Sequence, residues 1–88
     1  MIRIRETIVV EGKDDEAAVR RAAADANIIT TSGYGLTEET IQRIRAAYER
    51  TGIVILTDPD HSGRSIRDRL SLLFPETKHA YLAAKEAR

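Results

Sequence analysis

The chain has 88 residues, 42% of them hydrophobic and 32% charged, which suits one compact core and leaves no room for a second. Fourteen basic side chains balance fourteen acidic ones, so a polycationic grip on nucleic acid or on an anionic membrane is excluded. Cysteine is absent, which removes disulfide frameworks and thiolate zinc sites, and with two histidines a zinc site would need distant carboxylates to complete it.

Met1-Ile2-Arg3-Ile4-Arg5 lacks the apolar stretch of a signal peptide, and no apolar run approaches the ~20 residues of a membrane span. A cytoplasmic setting without membrane attachment is therefore expected. The β-branched run Thr7–Val10 predicts a first strand that ends at Glu11-Gly12. Short apolar runs bounded by turn signals suit strands buried on both faces of a parallel sheet. Asp14 or Asp15 can cap the following helix, with Ala17, Ala18, Val19, Ala22 and Ala23 as its apolar side. Asn27–Thr31 reads as a second strand and Ser32-Gly33-Tyr34-Gly35 as a loop. Thr37 is placed to cap a second helix, with Glu38 and Glu39 suited to its positive end. Ile41, Ile44 and Tyr48 form one apolar stripe, and Gly52 stands where a terminating glycine belongs. Ile53–Thr57 is the third strand, and it runs into a loop, Asp58-Pro59-Asp60-His61-Ser62-Gly63. A third helix carries Ile66, Leu70, Leu73 and Phe74 and stops before Pro75. His79–Leu82 is a fourth strand, and residues 83–88 read as a helical or frayed tail. The alternation predicts an α/β domain with a four-stranded, mainly parallel sheet and right-handed crossovers. Three helices cover its two faces.

In open α/β sheets, ligands bind beyond the carboxyl ends of the strands, where the strand order reverses. Glu11 follows the first strand, and Asp58 and Asp60 follow the third. If those strands are neighbours, with the second strand outside the first, the three carboxylates meet at one switch point. Side chains two apart in an extended segment point the same way, and Pro59 disfavours the helical region for Asp58. Crowded carboxylates repel, and a hard divalent cation such as Mg²⁺ resolves that repulsion and acts commonly on phosphate oxygens. An isolated Asp-Pro-Asp also makes a turn and a helix cap, and Glu-Gly is an ordinary strand end. It is the combination, acids after two strands that each open a helix, that supports a metal site.

Ile8-Val9-Val10-Glu11-Gly12-Lys13-Asp14-Asp15, with Ile55-Leu56-Thr57-Asp58-Pro59-Asp60 and Gly63 later, resembles a Toprim domain along essentially the whole chain. Toprim domains are the metal-binding α/β units of type IA and type II topoisomerases, bacterial primases and several nucleases. Their signature is Glu-Gly after the first strand and Asp-x-Asp after the third. A narrower resemblance links Val10–Asp15, the Leu36–Ile41 helix start, Thr57–Asp60 and Lys78-His79-Ala80 to the Toprim endoribonucleases that mature 5S ribosomal RNA. The resemblance implies that Asp58 and Asp60 bind Mg²⁺, with Mn²⁺ able to substitute. Glu11 would be a metal ligand or the general acid/base. Gly12 would let the backbone turn sharply beside the metal, Asp15 would add an acid at the first helix start, and Gly63 would open the third helix. The implied chemistry is metal-assisted, in-line hydrolysis of a phosphodiester, with two metals ~3.5–4 Å apart. His61 departs from the family, where an aromatic residue is more usual at that place.

Lys13 could contact phosphate or pair with Glu11, Asp14 or Asp15, and Arg64 is close enough in sequence to the acids to reach a bound backbone. Gly33, in its loop at a strand end, could offer backbone N–H groups to phosphate. Arg64, Arg67 and Arg69 have the alternative of a solvated helix face, the preferred one for Arg69; His61 could touch a scissile phosphate but reads better as a solvated loop histidine, and His79 is expected to have no catalytic part. Neutralising Glu11, Asp58 and Asp60 would leave eleven acids against fourteen bases, so bound metal would become part of the phosphate-binding surface. The expectation is that residues 1–88 form a single Toprim unit, the N-terminal catalytic half of a longer enzyme. Its partner would be double-stranded RNA, the 5S ribosomal RNA precursor with a ribosomal protein, and it would work as a monomer. Two rivals differ in class. One is a Toprim binding module without cleavage, which would not need all three acids. The other is a phosphoacceptor receiver domain, which would need a fifth strand with its lysine.

Overall fold

The structure is a computed structural model that describes residues 5–31, 36–57 and 61–81, with the backbone alone for 61–64 and 81. The chain runs β1 (Thr7–Val10), α1 (Lys13–Ala22), β2 (Ile28–Thr30), α2 (Glu38–Arg50), β3 (Ile53–Thr57), α3 (His61–Leu73) and β4 (Lys78–Tyr81). The four strands form one sheet in the order β2-β1-β3-β4, and every pairing is parallel. Ile8 lies between Ile28 and Val54, and Val54 in turn faces Lys78. The chain leaves β1 toward one edge of the sheet and β3 toward the other, so the order reverses between them.

Alternate residues of the strands serve two cores. Val9, Ile29, Ile53 and Ile55 pack with Ile44 of α2 and with Ile66, Leu70 and Phe74 of α3 and its end. Ile8 and Val10 pack with Val19 of α1 and with Ala23 and Ala26. Thus α1 covers one face and α2 and α3 the other, as right-handed crossovers require. Thr7, Thr31, Thr57 and Thr77, all at or beside strand ends, are buried too. Each is stiff at Cβ like its apolar neighbours, and its hydroxyl can satisfy the backbone where the ladder stops.

Several local expectations change. The residue capping α1 is Gly12, without a side-chain bond, and Asp14, Asp15 and Glu16 fill the first turn, where they still suit the helix dipole. Of the alanine-rich side only Val19 in the helix and Ala23 just beyond it are buried. Ala17 lies roughly 200° around the axis from Val19 and is exposed. The third helix begins at His61, so His61-Ser62-Gly63 is its first turn and not loop. Short polar residues suit a first turn as well as a loop, so composition did not separate the two. Its buried stripe is Ile66, Leu70 and Phe74, spaced by four, whereas Leu73 is 39% exposed at the stripe's edge. β2 is shorter than expected, and β4 starts one residue earlier, at Lys78. That lysine reaches across to Glu6 at 2.5 Å, and a lysine is well tolerated on an edge strand. Leu82 and residues 83–88 lie outside the described residues.

The bond from Lys78 holds the Glu6 carboxyl below its ordinary pKa. Its small contribution to stability is therefore present above the unfolded-state pKa and lost as pH falls through the lowered one. Other expectations stand. The Thr37 hydroxyl accepts from the Thr40 N–H at 3.2 Å, capping α2. Gly52 follows the helix in the left-handed region, φ +80, and its N–H bonds back to the carbonyls of Ala47 and Tyr48. A Cβ there would stand 3.5 Å from Glu6, ordinary contact, so the backbone angle alone carries the cost. Gly52→Ala should lower stability by about 1–2 kcal/mol in urea denaturation. An unchanged midpoint would contradict this account of the α2–β3 turn.

Candidate metal centre

The site is built from the carboxyl edge of β1 and β3. Val9 faces Ile55 in the parallel register, so continuing that register by two residues sets Glu11 beside Thr57. Adjacent strands lie about 4.8 Å apart, which brings the backbone at Glu11 close to the point where the chain enters Asp58. From the other side, the Thr31 N–H bonds to the Val10 carbonyl at 3.0 Å, and the Thr31 hydroxyl donates to the Glu11 carbonyl at 3.2 Å. The Glu11 backbone is thereby held from β2 while its half-buried residue stays within reach of solvent.

Lys13, Asp14 and Asp15 follow at the start of α1, whose N-terminus opens on this same edge. Lys13 is exposed and forms no ion pair among the described residues, so pairing with Glu11, Asp14 or Asp15 does not occupy it. Asp15 is half-buried. Gly12 has φ −142 and ψ 179, extended backbone that any residue adopts. The chain does bend at Glu11-Gly12, as the resemblance implied, but the bend needs no glycine-specific backbone angle. What Gly12 does provide is space, because a Cβ built on it meets nothing within 4 Å.

Asp58, Asp60 and Gly33 lie outside the described residues. Gly63 and Arg64 are in the first turn of α3. Among the described residues no group of three or more His, Cys, Asp and Glu is gathered for a metal. Glu11 is thus the one candidate ligand whose setting the structure describes, and two of the three expected carboxylates belong to the segment that follows β3. Carboxylate oxygens from two neighbouring strand ends are a donor set that fits a hard cation.

Two residues of this edge were not singled out from sequence, and a third was set on a solvated face as its alternative. Thr31 and Thr57 look like ordinary strand residues, yet they are 3% and 0% exposed and bond to the site's backbone and to a buried arginine. That arginine is Arg67, 5% exposed rather than on a solvated face. Its place on the Ile66–Leu70 side of α3 was the available signal. Arg69, by contrast, is exposed. A Ser at position 12 has room and an extended backbone, and its hydroxyl can cap α1. Gly12→Ser should therefore hold or raise stability, by a few tenths of a kcal/mol, in chemical denaturation. A clear loss would show that the space beside Gly12 is not open.

Among the described residues no helix is long and apolar enough to cross a membrane. The family model of the Toprim domain matches residues 6–85. Ribonuclease M5 of Clostridium botulinum is 45% identical over 83 residues, which are 94% of this chain and 45% of that protein. Ribonuclease M5 of Bacillus anthracis is 43% identical over 86 residues, 98% of this chain and 46% of that protein. For Ribonuclease M5 of Bacillus subtilis the identity is 44% over 81 residues, 92% of this chain and 43% of that protein. The chain thus spans a little under half the length of these relatives. With the β2-β1-β3-β4 parallel sheet, the acid at the end of β1 and a match from residue 6 to residue 85, the chain belongs to the Toprim domain family.

Proposed function

We propose that this chain is the metal-binding catalytic part of an endoribonuclease that acts on structured RNA, with a 5S ribosomal RNA precursor, carried on a ribosomal protein, as substrate. The observation that carries the reading is the 43–45% identity to proteins named Ribonuclease M5, which covers 92–98% of this chain. Such coverage takes in β1, β3 and the segments that follow them, where the acids stand. It favours cleavage over a binding module. In proteins of the relatives' length, residues 1–88 would act as one Toprim unit, the catalytic half, working as a monomer.

Toprim domains bind divalent metal ions. Here Glu11, Asp58 and Asp60 would hold Mg²⁺, with Mn²⁺ as a substitute. A cation so bound supplies Lewis acidity at a phosphate oxygen and lowers the pKa of a bound water. Glu11, fixed by its carbonyl to Thr31, either completes the ligand set or handles the proton of the attacking water. Gly12 leaves an open side by which a phosphodiester backbone can approach. Lys13, exposed and without an ion pair among the described residues, offers it a cation. Arg64 and the Gly33 loop would add further phosphate contacts, Asp15 a further acid, and Gly63 the opening of α3. Duplex RNA would be read by its shape and its backbone, which suits a site of acids and metal better than a sequence code would.

Mn²⁺ at millimolar concentration should raise the melting temperature, because it relieves carboxylate repulsion in the folded state alone. Asp58→Asn with Asp60→Asn should raise metal-free stability and abolish that response. In a protein of the relatives' length, Glu11→Gln should slow single-turnover cleavage of precursor RNA by ~10²–10⁴. If Glu11 chiefly handles protons, metal affinity should hold. If it is chiefly a ligand, affinity should fall together with cleavage, and extra Mn²⁺ should restore part of the rate. Near-normal cleavage by Glu11→Gln at saturating metal would overturn the catalytic reading of this edge. Lys13→Ala should weaken RNA binding at low salt without loss of stability, and unchanged binding would remove Lys13 from the interface.

A further inference from the structure

Among the described residues Arg67 is the one charged side chain that is buried. A guanidinium cannot shed its proton to escape burial, and taking a charge out of water is unfavourable unless its donors are satisfied. Here they reach two strands. Nε donates to the Thr57 hydroxyl at 3.2 Å, Nη1 lies 3.0 Å from His79 Nδ1, and Nη2 donates to the Ala80 carbonyl. Because Arg67 can only donate, Nδ1 of His79 is the acceptor, which leaves the ring proton on Nε2, 3.2 Å from the Ser71 hydroxyl.

An apolar side chain of similar volume would cover the same surface at less desolvation cost. What it could not do is hold three acceptors from two strands in the fixed geometry of a fork. The clamp falls at a particular place. Thr57 is the last residue of β3, and Asp58 follows it directly. Ala80 faces Leu56, one step before the end of the same pairing. A buried cation on α3 thus bonds to the residue from which the chain enters Asp58-Pro59-Asp60.

We propose that Arg67 is a positioning residue for the metal centre. It locks the carboxyl ends of β3 and β4 together and so fixes the point from which Asp58 and Asp60 reach the metal. The proposal rests on the metal-binding reading of those two acids. It makes a prediction opposite in sign to simple charge. Removal of a nearby cation should, by Coulomb attraction alone, tighten the binding of a divalent cation. Loss of a positioning clamp should weaken it.

The test is Mn²⁺ affinity, measured by calorimetric titration of the whole chain, with amide exchange as a second readout. Arg67→Met should remain folded and bind Mn²⁺ at least tenfold more weakly, and the Thr57 and Tyr81 amides should lose protection. Arg67→Lys, which keeps the charge and loses the fork, should also bind more weakly, and it decides the matter if Arg67→Met does not fold. Leu70→Ala supplies the control for destabilisation alone, since Leu70 is fully buried on the same helix and takes no part in the hydrogen bonds of the clamp. It should keep Mn²⁺ affinity within about twofold. Equal or tighter Mn²⁺ binding by a folded Arg67 variant would overturn the proposal. So would an equal loss in Leu70→Ala. If Mn²⁺ binding by the parent chain survives Asp58→Asn with Asp60→Asn, the metal reading itself fails and the positioning role goes with it. Loss in the Asp variant with retention in the Arg67 variants would refute the role of Arg67 alone.

Discussion

The parallel pairing of β1 with β3 is the constraint on which the site depends. Because β2 lies outside β1 and β4 outside β3, the two central strands send their chains away in opposite directions and leave a gap at their carboxyl ends. Everything proposed for function stands at that gap. Glu11 closes one strand, Asp58 begins the segment after the other, and the N-terminus of α1 opens beside them. The pairing is made robust by what it buries. Ile8, Val9, Val10, Ile53 and Ile55 are all at most 2% exposed, so a register slip would move apolar side chains out of both cores at once. A site at this gap therefore inherits its precision from the best-packed strands of the molecule.

Neutral overall charge becomes intelligible in these terms. A chain with as many acids as bases cannot attract RNA by bulk charge, and the acids at the switch point would repel it. On the proposed reading, a divalent cation held by Glu11, Asp58 and Asp60 would reverse the local sign at the switch point. Lys13 adds a cation beside it. Metal binding and RNA binding would then be coupled by electrostatics, and RNA affinity should depend on metal as well as on salt.

The fold was legible because its elements follow simple periods. Ile53–Thr57 is a β-branched run of strand length, and Ile41, Ile44 and Tyr48 repeat as a helix stripe. Thr37 and Gly52 mark the ends of α2 through bonds that the structure contains. The alanines of α1 were less legible, since small residues tolerate either face and only contact with the sheet picks Val19 and Ala23. Leu73 falls at the side of a stripe spaced by four, Ile66, Leu70 and Phe74, and so stays partly exposed. The candidate site divides in the same way. Its acids were visible as strand-end residues with a family spacing, and Glu11 stands where that spacing put it. Gly12 was visible as a glycine at a bend, but the open space beside it needed the structure. Thr31, Thr57 and Arg67 were not visible as a unit, because they come from three elements and meet only when the sheet closes.

The central claim is that a divalent cation binds at the carboxyl ends of β1 and β3. Paramagnetic broadening of backbone amide signals by substoichiometric Mn²⁺ tests it most directly, since the effect falls steeply with distance from the ion. The account predicts that Glu11, Gly12 and Thr57 broaden first, while Thr7, Asn27 and Gly52, at the opposite edge of the sheet, stay sharp. Broadening centred on that opposite edge, or spread evenly over the exposed acids of α1 and α2, would contradict it.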